Sequence, residues 1–456
     1  SIDGYDDIFV NNDSVNFDDT ALNRSISLSD SVFVSAINVN NSASRTYTIS
    51  GSGSINGTAS LVKNGAGTLN LNTRNSFTGK VIVNEGTLSM QYAPSSINNG
   101  GIGKNITDPA YLVLRDSAIL QITTANEQTN RGLTVEGQAG GLLNVPANIY
   151  WDGTIVGSKL TKTGSATLYL GSNNPNLNET VLRQGTLRLN SNESVAYGPG
   201  KKITILGGTL DTKNDINAYL TSNHNFEIPE GSTANINAAA RCEYNGSMTG
   251  GGTVNWRTDY IRAFMNGNWS AFTGKLNLIK NTANSSYDDI FIVNSSYGYP
   301  NATVDIASGV VMCYKNGTSN NGTSTIRIGL LTGAGSFYNA GLEVGSNNIS
   351  GSFSGVISGQ TSVKKVGSAL WILSGANTYT GSTIVSSGTL NLTGSINTGT
   401  ITIQNNAIMY HNGTNAGNIT IQQGGTLFLS GICSGIVANS GVLRGSGKIN
   451  SSLSLT

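Results

Sequence analysis

The sequence predicts an all-β protein: a right-handed parallel β-helix, a single-stranded β-solenoid wound as one domain through residues 1–456. Three observations carry that expectation. A two-part motif recurs at a fixed internal spacing, the segments inside each copy alternate apolar with polar residues, and the composition suits a chain that turns often and is ordered between its turns.

The repeat comes first, because self-similarity overrides the size rule by which 456 residues would suggest about three globular domains. The motif reads LVKNGAGTLNLN from Leu61 and FTGKVIVNEGTLSM from Phe77, then LTKTGSATLYLG from Leu160 and ETVLRQGTLRLN from Glu179. The third copy is VKKVGSALWILSG from Val363 and YTGSTIVSSGTLNLTG from Tyr379. Lys63 to Gly86, Lys162 to Gly185 and Lys365 to Gly388 each span 23 residues. GTL recurs 23 residues apart at Gly185 and Gly208, ITIQ 18 apart at Ile401 and Ile419, and glycine-initiated strands 16 apart at Gly425 and Gly441. These intervals read as coil lengths.

Within each copy the alternation has period two, the mark of a strand with one face in a core. It sends Leu61, Leu69, Leu71, Val81, Val83 and Leu88 inward. A strand of four or five residues cannot bury that face alone, whereas coils stacked about 4.8 Å apart share a continuous interior. Glycine and asparagine supply the corners. Asparagines at like positions are expected to form hydrogen-bonded ladders from coil to coil. The motif lysines Lys63, Lys162 and Lys365 are expected on the surface, where replacement by alanine costs less than about 1 kcal/mol.

Composition narrows the function. With 58 glycines, 7 prolines and 11% charged residues between short Val/Ile/Leu runs, the chain fits neither a disordered linker nor collagen. A net charge of +1 gives no electrostatic footprint for nucleic acid and no basic patch for a membrane surface. The apolar runs are too short for a membrane-spanning segment. Cys242, Cys313 and Cys433 lie too far apart for a disulfide framework or a close-spaced zinc motif, and are expected as buried small residues. His224 and His411 stand alone in asparagine-rich turns and are expected at the surface. No metal or cofactor is expected.

The segment KKVGSALWILSGANTYTGSTIVSSGTLNLTGSI, Lys364 to Ile396, resembles the passenger-associated transport repeat, also called the autotransporter-associated β-strand repeat. That pattern runs as K-x-G-x-G-x-L, then N-T-Y-T-G, then a strand ending in G-T-L-x-L. Lys63 to Met90 is similar to it. At Lys162 the NTYTG element is replaced by NNPNLNE, and at Gly250 the repeat is split. The resemblance implies a β-helical passenger, secreted or displayed on the bacterial cell surface after removal of a signal peptide that this chain does not show. In that family the repeats serve secretion and folding rather than catalysis, so no catalytic residue carries over. It leaves the export route open, since KINSSLSLT, the last residues, does not read as the amphipathic strands of a membrane barrel.

Along the chain, residues 1–50 are expected to make the first coils and a cap, 51–345 coils with loop excursions, and 346–456 regular coils. YDDIF occurs at Tyr5 and at Tyr287; its paired aspartates lack the further oxygens of a calcium loop and read as strand ends. The repeat blurs over Asn99–Trp151 and Asn281–Gly345, where excursions are candidate binding loops. MTGGGTVNW from Met248 and FTGKLNL from Phe272 read as a repeat holding ten extra residues, which are expected to leave the coil as a loop or hairpin. Its residues Trp256, Arg257, Asp259, Tyr260, Arg262 and Trp269 form the candidate binding patch, where aromatic faces stack on sugars and charged groups bind hydroxyls. The expected function is a monomeric structural or adhesive stalk whose partners are surface glycans or host matrix. The alternatives are a carbohydrate-binding module or a polysaccharide lyase or glycoside hydrolase. The enzyme needs a carboxylate pair, for which Glu243 and Asp259, 16 residues apart, are the stacking candidates.

Overall fold

The computed structural model describes residues 9–171, 174–189, 201–212, 221–238, 241–258, 262–280, 289–293, 297–314, 324–397 and 399–455. Two compact units, Ser1–Thr212 and Lys213–Thr456, divide the chain. Both are β-solenoids in which every pairing between the named strands is parallel. A single 3₁₀ turn, Pro109–Tyr111, is the one helical element among the described residues.

In the first unit Ala36–Asn40, Ser60–Asn64, Val81–Val83, Leu112–Arg115 and Leu133–Glu136 stack as one wall. Thr46–Gly51, Thr68–Leu71, Thr87–Met90, Ile119–Ile122 and Gly141–Asn144 form the next. A third holds Glu127–Thr129, Ile149–Trp151, Thr167–Leu170, Thr186–Leu189 and Thr209–Asp211. The period-two residues Leu61, Leu69, Leu71, Val81, Val83 and Leu88 are all fully buried. Burying one such side chain contributes about 1.5–3 kcal/mol, so a strand supplying two gains little until its neighbours close over it.

The second unit follows the same plan. Thr233–Ala238, Thr253–Thr258, Lys275–Leu278 and Tyr299–Ile306 stack in one wall, and Glu243–Tyr244, Arg262–Met265, Asp289–Val293 and Val310–Tyr314 in another. The intervals read from the sequence are the coil lengths: Thr186 pairs with Thr209, Ile401 with Ile419 and Thr426 with Val442.

Outward asparagines form the expected ladders. Asn255 Nδ2 donates to Asn235 Oδ1 at 3.0 Å and Asn277 Nδ2 to Asn255 Oδ1 at 2.9 Å, while Asn245 and Asn266 continue a second series from Asn223. Stacked amides satisfy one another in this way at no cost to the walls.

Both histidines are inside, contrary to the surface placement their turns suggest. His411 alternates with Ala407 and Met409 and sits between Leu392 and Leu429, with Nε2 2.7 Å from Asn415 Oδ1. Burial holds its pKa below the ordinary value. His224 is likewise buried, its Nδ1 2.9 Å from Ser222 Oγ. None of the three cysteines is in a disulfide; Cys242 and Cys433 are buried and Cys313 is half-buried.

Candidate functional site

The expected aromatic patch lies in the core. In Thr253–Thr258 the alternation points Val254, Trp256 and Thr258 inward and Arg257 outward. Trp256 stacks on Trp269 with ring centroids 5.0 Å apart and meets Tyr244 edge-on at 4.6 Å; Trp269 packs on Tyr299 and donates from Nε1 to Gly246 O at 2.9 Å. The ten extra residues therefore do not, where they are described, form an outward hairpin. They bring in Arg262–Met265, a wall strand resting on Glu243–Tyr244 and covered by Asp289–Val293. Hydrophobic burial decides this, because two indoles gain far more inside than on an exposed loop. Arg257 and Arg262 are half-exposed on the outer faces, with Arg262 5.5 Å from the Phe264 ring centroid. Asp259 and Tyr260 lie outside the described residues, as do Asp6, Asp7 and Asp288 of the two YDDIF segments, while Asp289 opens the wall strand Asp289–Val293. The residue stacked over Glu243 is Phe264, 21 positions on, so the sequence interval of 16 does not mark a coil there.

The repeat lysines are also inside. Lys63 lies between Val39 and Val83, Lys162 between Leu143 and Leu182, and Lys365 between Val344 and Val385, in otherwise aliphatic columns. Each side chain is fully buried and carries its ammonium to a corner. There Lys365 Nζ donates to Val366 O at 2.7 Å, Gly367 O at 3.1 Å and Ser387 O at 3.3 Å, the last in the following coil. Lys63 reaches Asn64 O, Gly65 O and Glu85 O in the same way, and Lys162 reaches Gly164 O, Ala166 O and Gln184 O. Burial pulls all three pKa values down to about 8, so the groups stay mostly protonated at neutral pH. Gly185 closes one corner at φ +70°, and a Cβ there would collide with Lys162 Nζ.

Twelve residues after each lysine stands a buried asparagine that reaches back to the preceding coil. Asn75 Oδ1 accepts from Ile55 N at 2.8 Å, Asn174 Oδ1 from Ile155 N at 2.6 Å and Asn377 Oδ1 from Ile357 N at 2.9 Å. Asn174 keeps this place although the residues around it depart from the repeat pattern. Asn377→Ala would strand the Ile357 amide and the carbonyls of Gly375 and Ser395 that its Nδ2 serves. The expected loss is about 1–3 kcal/mol in chemical denaturation; a loss below about 0.5 kcal/mol would show the amide to be dispensable.

One excursion, between Met90 and Leu112, builds a polar groove of about 450 Å³. It is pinned at several points. Thr129 Oγ1 donates to Pro94 O at 2.6 Å, Ala93 N to Glu127 Oε2 at 2.9 Å, and Arg74 to Asn99 O at 3.0 Å. The buried guanidinium of Arg131 holds the far end through Lys104 O and Tyr111 O. Glu127, Gln128, Asn130 and Asp152 line the wall, and Gln128 Nε2 donates to Asp152 Oδ2 at 2.6 Å. On the same outer face Gln128 is followed coil by coil by Tyr150, Tyr169 and Arg188. The two tyrosine rings stack at 4.2 Å, and Arg188 lies 5.6 Å from the Tyr169 centroid. Tyr410, Phe428 and Arg444 repeat this order in the second unit. The described residues contain no cluster of three or more potential metal ligands, and no helix long and apolar enough to cross a membrane.

Stacked coils, interior corner clamps and polar outer ladders define a repeat β-solenoid. The passenger-associated-transport-repeat family matches residues 61–90, 160–189 and 363–392. Its copies are the three segments that carry the lysine and asparagine corners. The Adhesin BmaC autotransporter of Brucella suis biovar 1 (strain 1330) is 26% identical over 226 residues, 45% of this chain and 6% of that protein's length. No solved structure matches significantly. The three repeats and the similarity to this adhesin support an autotransporter-type passenger, secreted or carried on the cell surface.

Proposed function

We propose that this passenger is a non-enzymatic adhesive stalk, in which the clamped coils give reach and the lateral faces make contact with surface glycans or host matrix. The observation that carries the reading is the distribution of polar groups. Buried ones are spent on corners within and between coils, as with Lys365 and Asn377, while outward ones recur at coil spacing over long faces. The adhesin named among its relatives supports the same reading. Beads coated with the purified protein are expected to adhere saturably to at least one of a panel of glycans and matrix proteins, and soluble protein should compete. Adhesion to none of them would remove the adhesive half of the proposal and leave the stalk.

A further inference from the structure

We infer that the groove under the 90–112 excursion binds a neutral, linear oligosaccharide, which continues over the outer face that carries Tyr150 and Tyr169. The inference builds on the adhesive reading and gives it a ligand class. Its first support is the lining, in which amides, hydroxyls and two carboxylates outnumber the apolar Ala93 and Ile97: Asn126, Glu127, Gln128, Asn130 and Asp152 on the wall, Ser95 on the roof. Such groups suit hydroxyl-rich ligands, and the volume is in the usual range of small-molecule sites.

Pre-organisation is the second support. The Gln128–Asp152 and Ala93–Glu127 bonds fix the polar groups before a ligand arrives, which lowers the entropy cost of binding. Gly171 takes part as well: it stands beside Asp152, and any Cβ there would collide with Asp152 Oδ1, so the missing side chain makes room for the carboxylate. Charge is the third. Glu127 and Asp152 face one cation, Arg74, whose guanidinium is already engaged by the Tyr92 ring at 4.0 Å and by Asn99 O. An anionic glycan would meet net negative charge without a free arginine fork.

The last support is spacing. Coils rise by about 4.8 Å, close to the length of one pyranose unit in an extended glycan, so a sugar chain along the face meets one row of side chains per residue. After Gln128 those rows are Tyr150, Tyr169 and Arg188. The two rings stack on each other, so they offer edges and hydroxyls rather than open faces.

The test uses the full chain and calorimetric titration with neutral hexasaccharides of glucose, N-acetylglucosamine and mannose, and a uronate hexasaccharide for comparison. At least one neutral hexamer is expected to bind better than the uronate. Asp152→Ala and Gln128→Ala should each weaken it about tenfold, the loss of one good hydrogen bond. Gly171→Ala, which alters no lining residue, should weaken it too by displacing the Asp152 carboxylate, with circular dichroism reporting that each variant is folded. No binding of any neutral hexamer, preference for the uronate, or unchanged affinity in folded Asp152→Ala would overturn the inference. Bead adhesion measured in parallel separates the two readings. Hexasaccharide binding without any adhesion upholds the groove and rejects the adhesive stalk, and adhesion with no hexasaccharide binding does the reverse.

Discussion

Lys365→Met is expected to cost about 2–3 kcal/mol, because methionine fills the aliphatic column between Val344 and Val385 but leaves three corner carbonyls without their donor. Relief from burying a charge offsets part of that loss. Solenoids unfold in pieces, so hydrogen exchange in the coils around residues 365–388 is the sensitive measurement and should show faster opening there. Protection unchanged from wild type would mean that the ammonium is tolerated at the corner and holds nothing. The pH dependence has a definite sign. The folded pKa of about 8 lies below the ordinary 10.5, so between those values the unfolded chain binds more protons than the folded one. This lysine's contribution to stability therefore rises with pH across that window, and the gap between wild type and Lys365→Met should widen from pH 8 to 10.

Trp256→Ala is expected to cost more, about 3–5 kcal/mol, as for other large aromatic side chains removed from a packed core. It would open a cavity against Tyr244 and Trp269, and the neighbouring strands, hydrogen-bonded on both sides, cannot collapse to fill it. Denaturant titration of the variant measures this directly. A surface binding residue would give the opposite pattern, with stability nearly intact and adhesion lost, and that result would return Trp256 to the outside.

The walls were legible because their rule is local. Alternation in TLNL and VIV, with glycine before the next strand, set the inward residues, and the intervals of 23, 18 and 16 gave the true coil partners. The same alternation also pointed Lys63 inward two places after Leu61, Trp256 two after Val254 and His411 two after Met409. Polarity suggested the opposite for Lys63 and His411, and an apparent insertion for Trp256, and in each case the period was the better guide. A charged group goes inside when a corner offers it three carbonyls, and those belong partly to residues 22 positions away. Asn174 carries no local signal, because its role depends only on its distance from Lys162, while the residues beside it differ. The groove was beyond reach for a further reason: Arg74, Gln128 and Asp152 come from separate coils, and only the folded excursion sets them around one space.

The paired corners also bear on what happens when a tethered solenoid is pulled. Lys365 grips the coil after its own and Asn377 the coil before it, so neither neighbour can peel away without also freeing a polar group in the coil between. An ordinary coil in such a stack would part by shedding its backbone bonds in sequence, at low force. A coil carrying this pair must give up a buried cation's ligands and a buried amide's partners at once, which makes it a mechanical stop where tearing started elsewhere in the same unit would stall.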